Sequence, residues 1–179
     1  MTRFTGEIEI ALPVERTYTL YTDARLMAAE ATTKTYVEFT NVVPDGPGTQ
    51  AVWTFIHPAL KTEMVETVVE LDAPHRIASH LQITRVMALE RHETTPGVMP
   101  VLAYDLRADY SPLYGKLPAE GVMECRFTAT ENGTLLQVET EMKLGGLSRF
   151  TGWLQSRAKR HPLQAELEAF RDWAQDMGA

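Results

Sequence analysis

The stretch from Gly145 to Trp173, GGLSRFTGWLQSRAKRHPLQAELEAFRDW, limits the fold more than any other part of the sequence. Apolar residues recur in it at helical spacing on both sides of Pro162, so they fall along one face of a helix. Proline lacks a backbone N–H and clashes with the preceding turn, so we expect a kink or a break at Pro162. A long helix with one apolar face needs a sheet to cover.

The rest of the chain supplies the strands. Two short helical stretches follow the first strand: Val14–Tyr21, which opens after Pro13, and Ala24–Glu30, which Asp23 can cap. Three strands in the middle of the chain follow one another in quick succession, separated by short turns, which favours an antiparallel meander. The predicted strands are at about residues 3–11, 32–43, 49–57, 61–72, 76–85, 121–130 and 134–144.

The last two strands meet at Asn132-Gly133, a dipeptide typical of a hairpin turn. If these two residues form the loop, Thr130 faces Leu135 and Phe127 faces Val138. One face of the hairpin is then apolar and the other is polar. A slip of one residue would destroy this sorting, so the pattern predicts both the register and the faces.

The same pairing, applied to the middle strands with three-residue loops, predicts an apolar face that carries Trp53, Phe55 and His57. Glu63 faces Arg85 on that side of the sheet, near one end. Met64 and Glu66 fall on the other face. In the predicted hairpin register Cys125 faces inward. We interpret it as a small core residue and not as a nucleophile, because nothing in its hairpin supplies a base to activate it.

Composition narrows the range of partners. The net charge of −7 and the pI of about 5.2 argue against nucleic acid. No run approaches the roughly 20 apolar residues of a membrane span, and the first ten residues lack a signal-peptide core. Cys125 has no partner for an internal disulfide, so we predict a cytoplasmic protein. We expect this protein to be a monomer or a homodimer.

Metal and cofactor motifs are missing from the sequence. No histidine stands at ligand spacing with a partner, and no glycine-rich loop suits a phosphate. We therefore predict no metal and no cofactor. The 179 residues suit one domain, residues 1–179, with an insertion at about 86–119. Connections of that length are usually functional or mobile.

The order of one strand, two short helices, six strands and a long helix resembles the helix-grip fold of the START-like superfamily (SRPBCC). This superfamily includes the polyketide cyclase/dehydrase family and the birch-pollen-allergen relatives. The resemblance covers nearly the whole chain and rests on scaffold stretches: IEIALPVERTYTLYTDARLM, VVELDAPHRI, ENGTLLQVETEMKLGG and the final helix ending LEAFRDW. The segment 86–119 departs from it, because many relatives have a short loop there.

The resemblance implies an α+β fold in which a curved seven-stranded antiparallel sheet wraps around the C-terminal helix, with a cavity between them. It implies that this cavity binds a hydrophobic or amphipathic small molecule, lipid-like or polyketide-like. The insertion would be a lid or a wall at the cavity mouth. By the same resemblance, the ligand-binding residues are Phe39, Trp53, Phe55, His57, Glu63, Arg85, Tyr104, Tyr110, Phe127, Phe150 and Leu154.

Two functions of different class fit these residues. One is a binding module for a hydrophobic ligand, which we favour because no catalytic set is assembled. The other is a polyketide cyclase, aromatase or dehydratase that uses Glu63 with His57 or Arg85 as acid and base. The same group could instead anchor a ligand, or form a partly exposed ion pair of little energetic value.

Overall fold

The computed structural model describes residues 1–23, 25, 27, 34–43, 46–56, 60–88, 117–145 and 162–178. Within them, Arg25 and Met27 are helical, and the Asp23 side chain accepts a hydrogen bond from the Arg25 backbone N–H at 3.0 Å, as predicted for a cap. The elements are β1 (Thr2–Ile10), α1 (Val14–Thr22), β2 (Lys34–Asn41), β3 (Gln50–Ile56), β4 (Leu60–Asp72), β5 (Arg76–Ala88), β6 (Ala119–Thr130), β7 (Gly133–Met142) and α2 (Pro162–Gly178).

The seven strands form one curved antiparallel sheet in the order β1-β7-β6-β5-β4-β3-β2. The helix α2 packs on one face of it, which we call the inner face, and this confirms the predicted helix-grip α+β fold. Strand β5 runs on to Ala88, beyond the predicted end at residue 85. Residues 89–116, which make up most of the predicted insertion, and residues 146–161, which precede Pro162, lie outside the described ranges.

The main apolar core lies between the helices and the inner face. Leu167, Phe170 and Ala174 of the α2 stripe predicted from the sequence are almost fully buried, whereas Met177, at the C-terminal end of the same stripe, is 50% exposed. Phe127 of β6 meets the edges of two α1 rings, with centroids 5.3 Å from Tyr18 and 5.6 Å from Tyr21. The buried members of this cluster are Ile10, Leu12, Val14, Leu20, Ile77, Cys125, Phe127, Leu136, Val138, Leu167, Phe170 and Ala174.

The β6–β7 hairpin confirms the predicted faces but not the predicted register. Thr130 pairs with Gly133, so the two loop residues are Glu131 and Asn132. Phe127 accordingly faces Leu136. The prediction is wrong by two residues, and a two-residue shift keeps every side chain on its face. Gly133 has a φ of +142° and sits against the end of β1, where a Cβ would lie 2.1 Å from the Ile10 carbonyl oxygen.

The middle strands contain the main correction. Glu63 pairs with Arg85 as predicted, but Phe55 pairs with Thr62, so Glu63 lies on the opposite face from Phe55. The prediction that Glu63 shares a face with Phe55 is therefore wrong. This shift of one residue turns over the β4 side chains from Glu63 to Val68, and a further irregularity in the pairing after Val68 returns Leu71 to the predicted inner face, opposite Ile77. A bulge after Glu63 then restores the predicted inward orientation of β5, with Met64 opposite Ile83.

Candidate functional site

The inner-face side chains of β2, β3 and β4 form the candidate site, which we call the β2–β4 surface. The Trp53 and Phe55 rings stack in parallel on it, with centroids 6.2 Å apart and an interplanar angle of 6°. Both side chains are half-buried. Phe39 lies on the same face, opposite Ala51, and the Arg25 guanidinium lies over its ring at 5.6 Å. These aromatics are predicted ligand residues, and the structure brings them onto one face.

Glu66 is a carboxylate on this same surface. It pairs with Ala51 on one side and Leu81 on the other, both of which are buried. Its Oε2 accepts a hydrogen bond from Trp53 Nε1 at 2.8 Å. The prediction that Glu66 points outward is therefore wrong. The cause is the same as for Glu63: the pairing of β3 with β4 differs from the predicted pairing by one residue. A carboxylate that faces the helices fixes the orientation of the indole and keeps further acceptor capacity.

Ser79 of β5 is a polar residue in an apolar position. Its neighbours across the sheet are Val68 of β4 and Met123 of β6. The side chain is 1% exposed, and its Oγ has no hydrogen-bond partner among the described residues. A buried hydroxyl without a partner costs on the order of 1–3 kcal/mol. The sequence predicts that this position faces inward, and the serine between Ile77 and Leu81 is the signal that sequence reasoning passed over.

Tyr21 and Cys125 form a second polar pair on the inner face. The Cys125 thiol donates to the Tyr21 hydroxyl with 3.6 Å between sulfur and oxygen. Burial raises the pKa of Cys125 to about 12, and the charges of Glu66 and Glu124 add to this. Burial, followed by Cys125 and Glu66, raises the pKa of Tyr21 well above its usual value. Both groups are therefore neutral near pH 7, and Cys125 lacks the thiolate that a nucleophile needs.

The predicted catalytic group does not assemble on the inner face. Glu63 Oε1 lies 2.9 Å from Lys61 Nζ and 3.7 Å from Arg85 Nη1, on the face opposite the helices. All three side chains keep between 22% and 27% of their surface exposed, so the contacts contribute little free energy. His57 lies outside the described residues.

The other predicted ligand residues fall into two groups. Phe127 is on the inner face but is 2% exposed, enclosed by the α1 tyrosines. It therefore packs as part of the core. The structure places none of the remaining four, because they lie outside the described residues: Tyr104, Tyr110, Phe150 and Leu154.

The outer face of β1, β7 and β6 is polar and carries a groove of about 380 Å³. Beside it, Arg76 and Arg126 donate to Glu124 at 2.8 Å and 2.7 Å, and these hydrogen bonds lower the pKa of the Glu124 carboxyl. Charges that neutralise one another in this way do not suit an apolar ligand. The groove is lined by Thr5, Gly6, Glu7, Glu124, Arg126, Gln137, Val138, Glu139 and Gln164.

The part of the chain that the structure describes carries neither a metal-binding cluster nor a membrane-spanning helix. No three potential ligands among its histidines, cysteines and carboxylates come together to hold an ion. Among the same residues, no helix combines the length and the apolar character needed to cross a bilayer.

Solved structures share this architecture. An uncharacterised protein from Rhizobium leguminosarum has a TM-score of 0.62 at 10% identity, covering 97% of this chain and 94% of that one. The protein TTHA0849 from Thermus thermophilus has a TM-score of 0.61 at 15% identity over 99% of both chains. Ara h 8.0201 has a TM-score of 0.60 at 10% identity over 97% of both. At these identities the likeness establishes the fold alone. No protein-family model and no curated protein sequence matches the chain.

Proposed function

We propose that this chain binds a hydrophobic or amphipathic small molecule, lipid-like or polyketide-like, between the inner face of the sheet and its C-terminal helix. The observation that carries the proposal is the β2–β4 surface itself. It presents the stacked pair Trp53 and Phe55 together with Phe39, all half-buried, on the face that packs against the helices elsewhere. Mostly apolar lining with a few fixed polar groups is the usual character of a small-molecule site.

The same proposal includes membership in the START-like superfamily. The shared fold and the four scaffold stretches of the sequence support it. Under this proposal residues 1–179 form one domain, and the segment at about 86–119 contributes Tyr104 and Tyr110 to the cavity mouth. The single cysteine supports a cytoplasmic location for a ligand-carrying monomer or homodimer.

The first test is native mass spectrometry of the purified protein, with identification of any compound released on denaturation. We expect a co-purifying apolar compound, or a thermal shift with members of a panel of fatty acids, sterols and polyphenols. Removal of the stacked ring in Trp53→Ala should abolish that shift. The matched control is Tyr36→Ala, which removes an exposed aromatic from the outward face of the neighbouring strand.

The two variants and the ligand panel together distinguish three outcomes. Loss of binding in Trp53→Ala, with binding kept in Tyr36→Ala, supports the inner-face site. A clean apo mass and no thermal shift with any panel member would sink the proposal. Equal behaviour of the two variants would move the site away from the β2–β4 surface. The enzymatic alternative stays a prediction, and no contact among the described residues favours it.

A further inference from the structure

Two polar groups stand next to each other where the main core meets a second apolar cluster of the inner face. The buried members of this second cluster are Leu81, Ile83, Val86, Leu117, Ala119 and Met142. Ser79 pairs with Val68 and Met123, and Met123 packs against both clusters. Glu66 pairs with Leu81, two residues along β5 from Ser79. Residues related in this diagonal way lie about 7–8 Å apart with their Cβ atoms somewhat closer, so both side chains can reach a shared ligand atom.

The two groups complement one another in hydrogen bonding. The Ser79 hydroxyl is almost fully buried and has no partner among the described residues, so it has a hydrogen bond to give. The Glu66 carboxylate already accepts from the Trp53 indole, and as an ionised group it can only accept further bonds. A hydroxyl group accepts one hydrogen bond and donates another, so it satisfies both residues at once.

We infer that Ser79 and Glu66 together bind the hydroxyl group of an otherwise apolar ligand. This inference rests on the proposed function and names its ligand class as a hydrophobic alcohol or phenol. A ligand carboxylate is disfavoured, because two like charges would meet in a site of low dielectric constant. The stacked rings of Trp53 and Phe55 lie on the same face and suit a flat apolar body.

The probes are 2-naphthol, 2-methoxynaphthalene and 2-naphthoate, which share one ring system. The methyl ether cannot donate to Glu66, and the naphthoate brings a negative charge to it. Dissociation constants are measured by calorimetry for the wild-type protein and for Ser79→Ala and Glu66→Gln. Two variants serve as controls, Thr128→Ala and Glu38→Gln, which make the same kinds of change at exposed positions on the outward face.

We expect the wild-type protein to bind 2-naphthol at least tenfold more tightly than either of the other probes. Ser79→Ala should reduce the affinity for 2-naphthol several-fold and leave that for the methyl ether unchanged. Because the Ser79 hydroxyl is unpaired, the same variant should be as stable as the wild type or slightly more so. A purely structural serine would instead lower the stability. Glu66→Gln should reduce the difference in affinity between 2-naphthol and 2-naphthoate, while both control variants retain the wild-type difference.

The failures are distinguishable. If the methyl ether binds as tightly as 2-naphthol, or if Ser79→Ala and Glu66→Gln keep the wild-type preferences, the inference is overturned while the cavity proposal stands. If none of the three probes binds the wild-type protein but a member of the fatty acid, sterol and polyphenol panel does, the hydroxyl site is overturned and the cavity proposal stands. If neither the probes nor the panel bind, the apolar cavity fails, and the hydroxyl site fails with it.

Discussion

The inner face of the sheet has two halves that differ in how they are packed. On β6, β7 and β1, large apolar side chains are sealed beneath α1 and α2. Phe127 and Leu136 of the sheet and Phe170 of α2 expose 2% or less of their surface. On the β2–β4 surface the aromatics are only half-buried, and Glu66 is mixed among them. The first half has the composition of a folding core, and the second has that of a recognition surface.

The boundary between the halves runs along β5. This strand contributes Ile77 to the sealed core, and Leu81 and Ile83 to the second cluster, with Ser79 between them. Apolar burial is the main source of folding free energy, so the sealed half should dominate stability. An unpaired polar residue in the middle of such a strand, such as Ser79, is costly for folding, and under the inferred hydroxyl site it would serve binding. Mutations should therefore separate the two halves by their effects on stability and on binding.

The largest expected effect tests the sealed half. Phe127→Ala removes a fully buried ring that contacts Tyr18 and Tyr21, and should lower the free energy of unfolding by about 3–5 kcal/mol. Phe55→Ala removes a half-buried ring and should cost about 1–2 kcal/mol. Urea denaturation of both variants measures the difference. Equal losses would show that the two halves share one core.

The second prediction compares two glycines with positive φ, one in each half. Gly133 (φ +142°) lies against the backbone, and a Cβ there would be 2.1 Å from the Ile10 oxygen and 2.9 Å from the Leu12 nitrogen. Because the backbone has to move, Gly133→Ala should lower the free energy of unfolding by about 3 kcal/mol.

Gly48, in the connection between β2 and β3, is the matched control for this prediction. It has a φ of +108°, and a Cβ there would meet a side-chain methyl group of Val43 at 3.2 Å but no backbone atom of the described residues beyond its chain neighbours. Gly48→Ala should therefore cost only about 1 kcal/mol, which is the backbone strain alone. Chemical denaturation of both variants decides the point. A Gly133→Ala variant as stable as Gly48→Ala would contradict the close packing of the hairpin against β1.

The sealed half is the more predictable from the sequence. Its strands alternate cleanly, so Phe127 and Cys125 are placed on the correct face even though the predicted hairpin register is wrong by two residues. The stripe of Leu167 and Phe170 likewise follows directly from helical spacing. A strict period makes such residues readable without knowledge of the exact pairing.

The β2–β4 surface is predictable only in part. The sequence places Trp53 and Phe55 correctly, but Glu63 and Glu66 exchange faces because the pairing of β3 with β4 differs by a single residue. Strand β4 reads LKTEMVETVVELD, with polar and apolar residues on both faces, so its pattern does not fix the register. The bulge after Glu63 leaves no local signal in the sequence either. The chemistry of the site therefore had to come from the structure.

The third prediction uses the buried thiol of the sealed half as a reporter of pH. The pKa of Cys125 is about 12 in the folded protein, against an unfolded value near 9.0. Above pH 9 the unfolded chain releases this proton while the folded chain keeps it. Stability is therefore fully present below pH 9 and falls by about 1.4 kcal/mol per pH unit as the pH rises towards 12. At pH 10.5 the loss should be about 2 kcal/mol.

The measurement is the free energy of unfolding of wild-type protein and Cys125→Ala at pH 8.0, 9.0, 10.0 and 10.5. The variant should be less stable at pH 8 because a buried group is lost, but its decline above pH 9 should be shallower. Tyr21→Phe is the control. In this variant stability should still decline between pH 9 and 10, where ionisation of the thiol in the unfolded chain dominates. The decline should be reduced only above pH 10, because the pKa of Tyr21 rises from 10.0 to well above that value on folding. Parallel curves for wild type and Cys125→Ala would contradict a sealed thiol.

The smallest effect concerns the edge strand of the sealed half. The α2 residue Gln164 donates from Nε2 to the Glu7 carbonyl at 3.1 Å, and its Oε1 accepts from the Glu7 backbone N–H at 3.3 Å. A side-chain amide thus occupies the place that another strand would take beside β1. Gln164→Leu should cost about 1 kcal/mol and speed hydrogen exchange at the Glu7 amide.

The control for the edge strand is Gln137→Leu, which removes a different hydrogen bond to the same residue. Gln137 Nε2 donates to the Glu7 carboxylate at 3.1 Å and leaves the backbone of β1 untouched. Exchange at the Glu7 amide should therefore change little in this variant. If both variants speed exchange equally, the α2 helix protects β1 through packing of Leu167 against Gly6 and not through the amide of Gln164. If only Gln164→Leu does so, one side chain closes the edge of the sealed half.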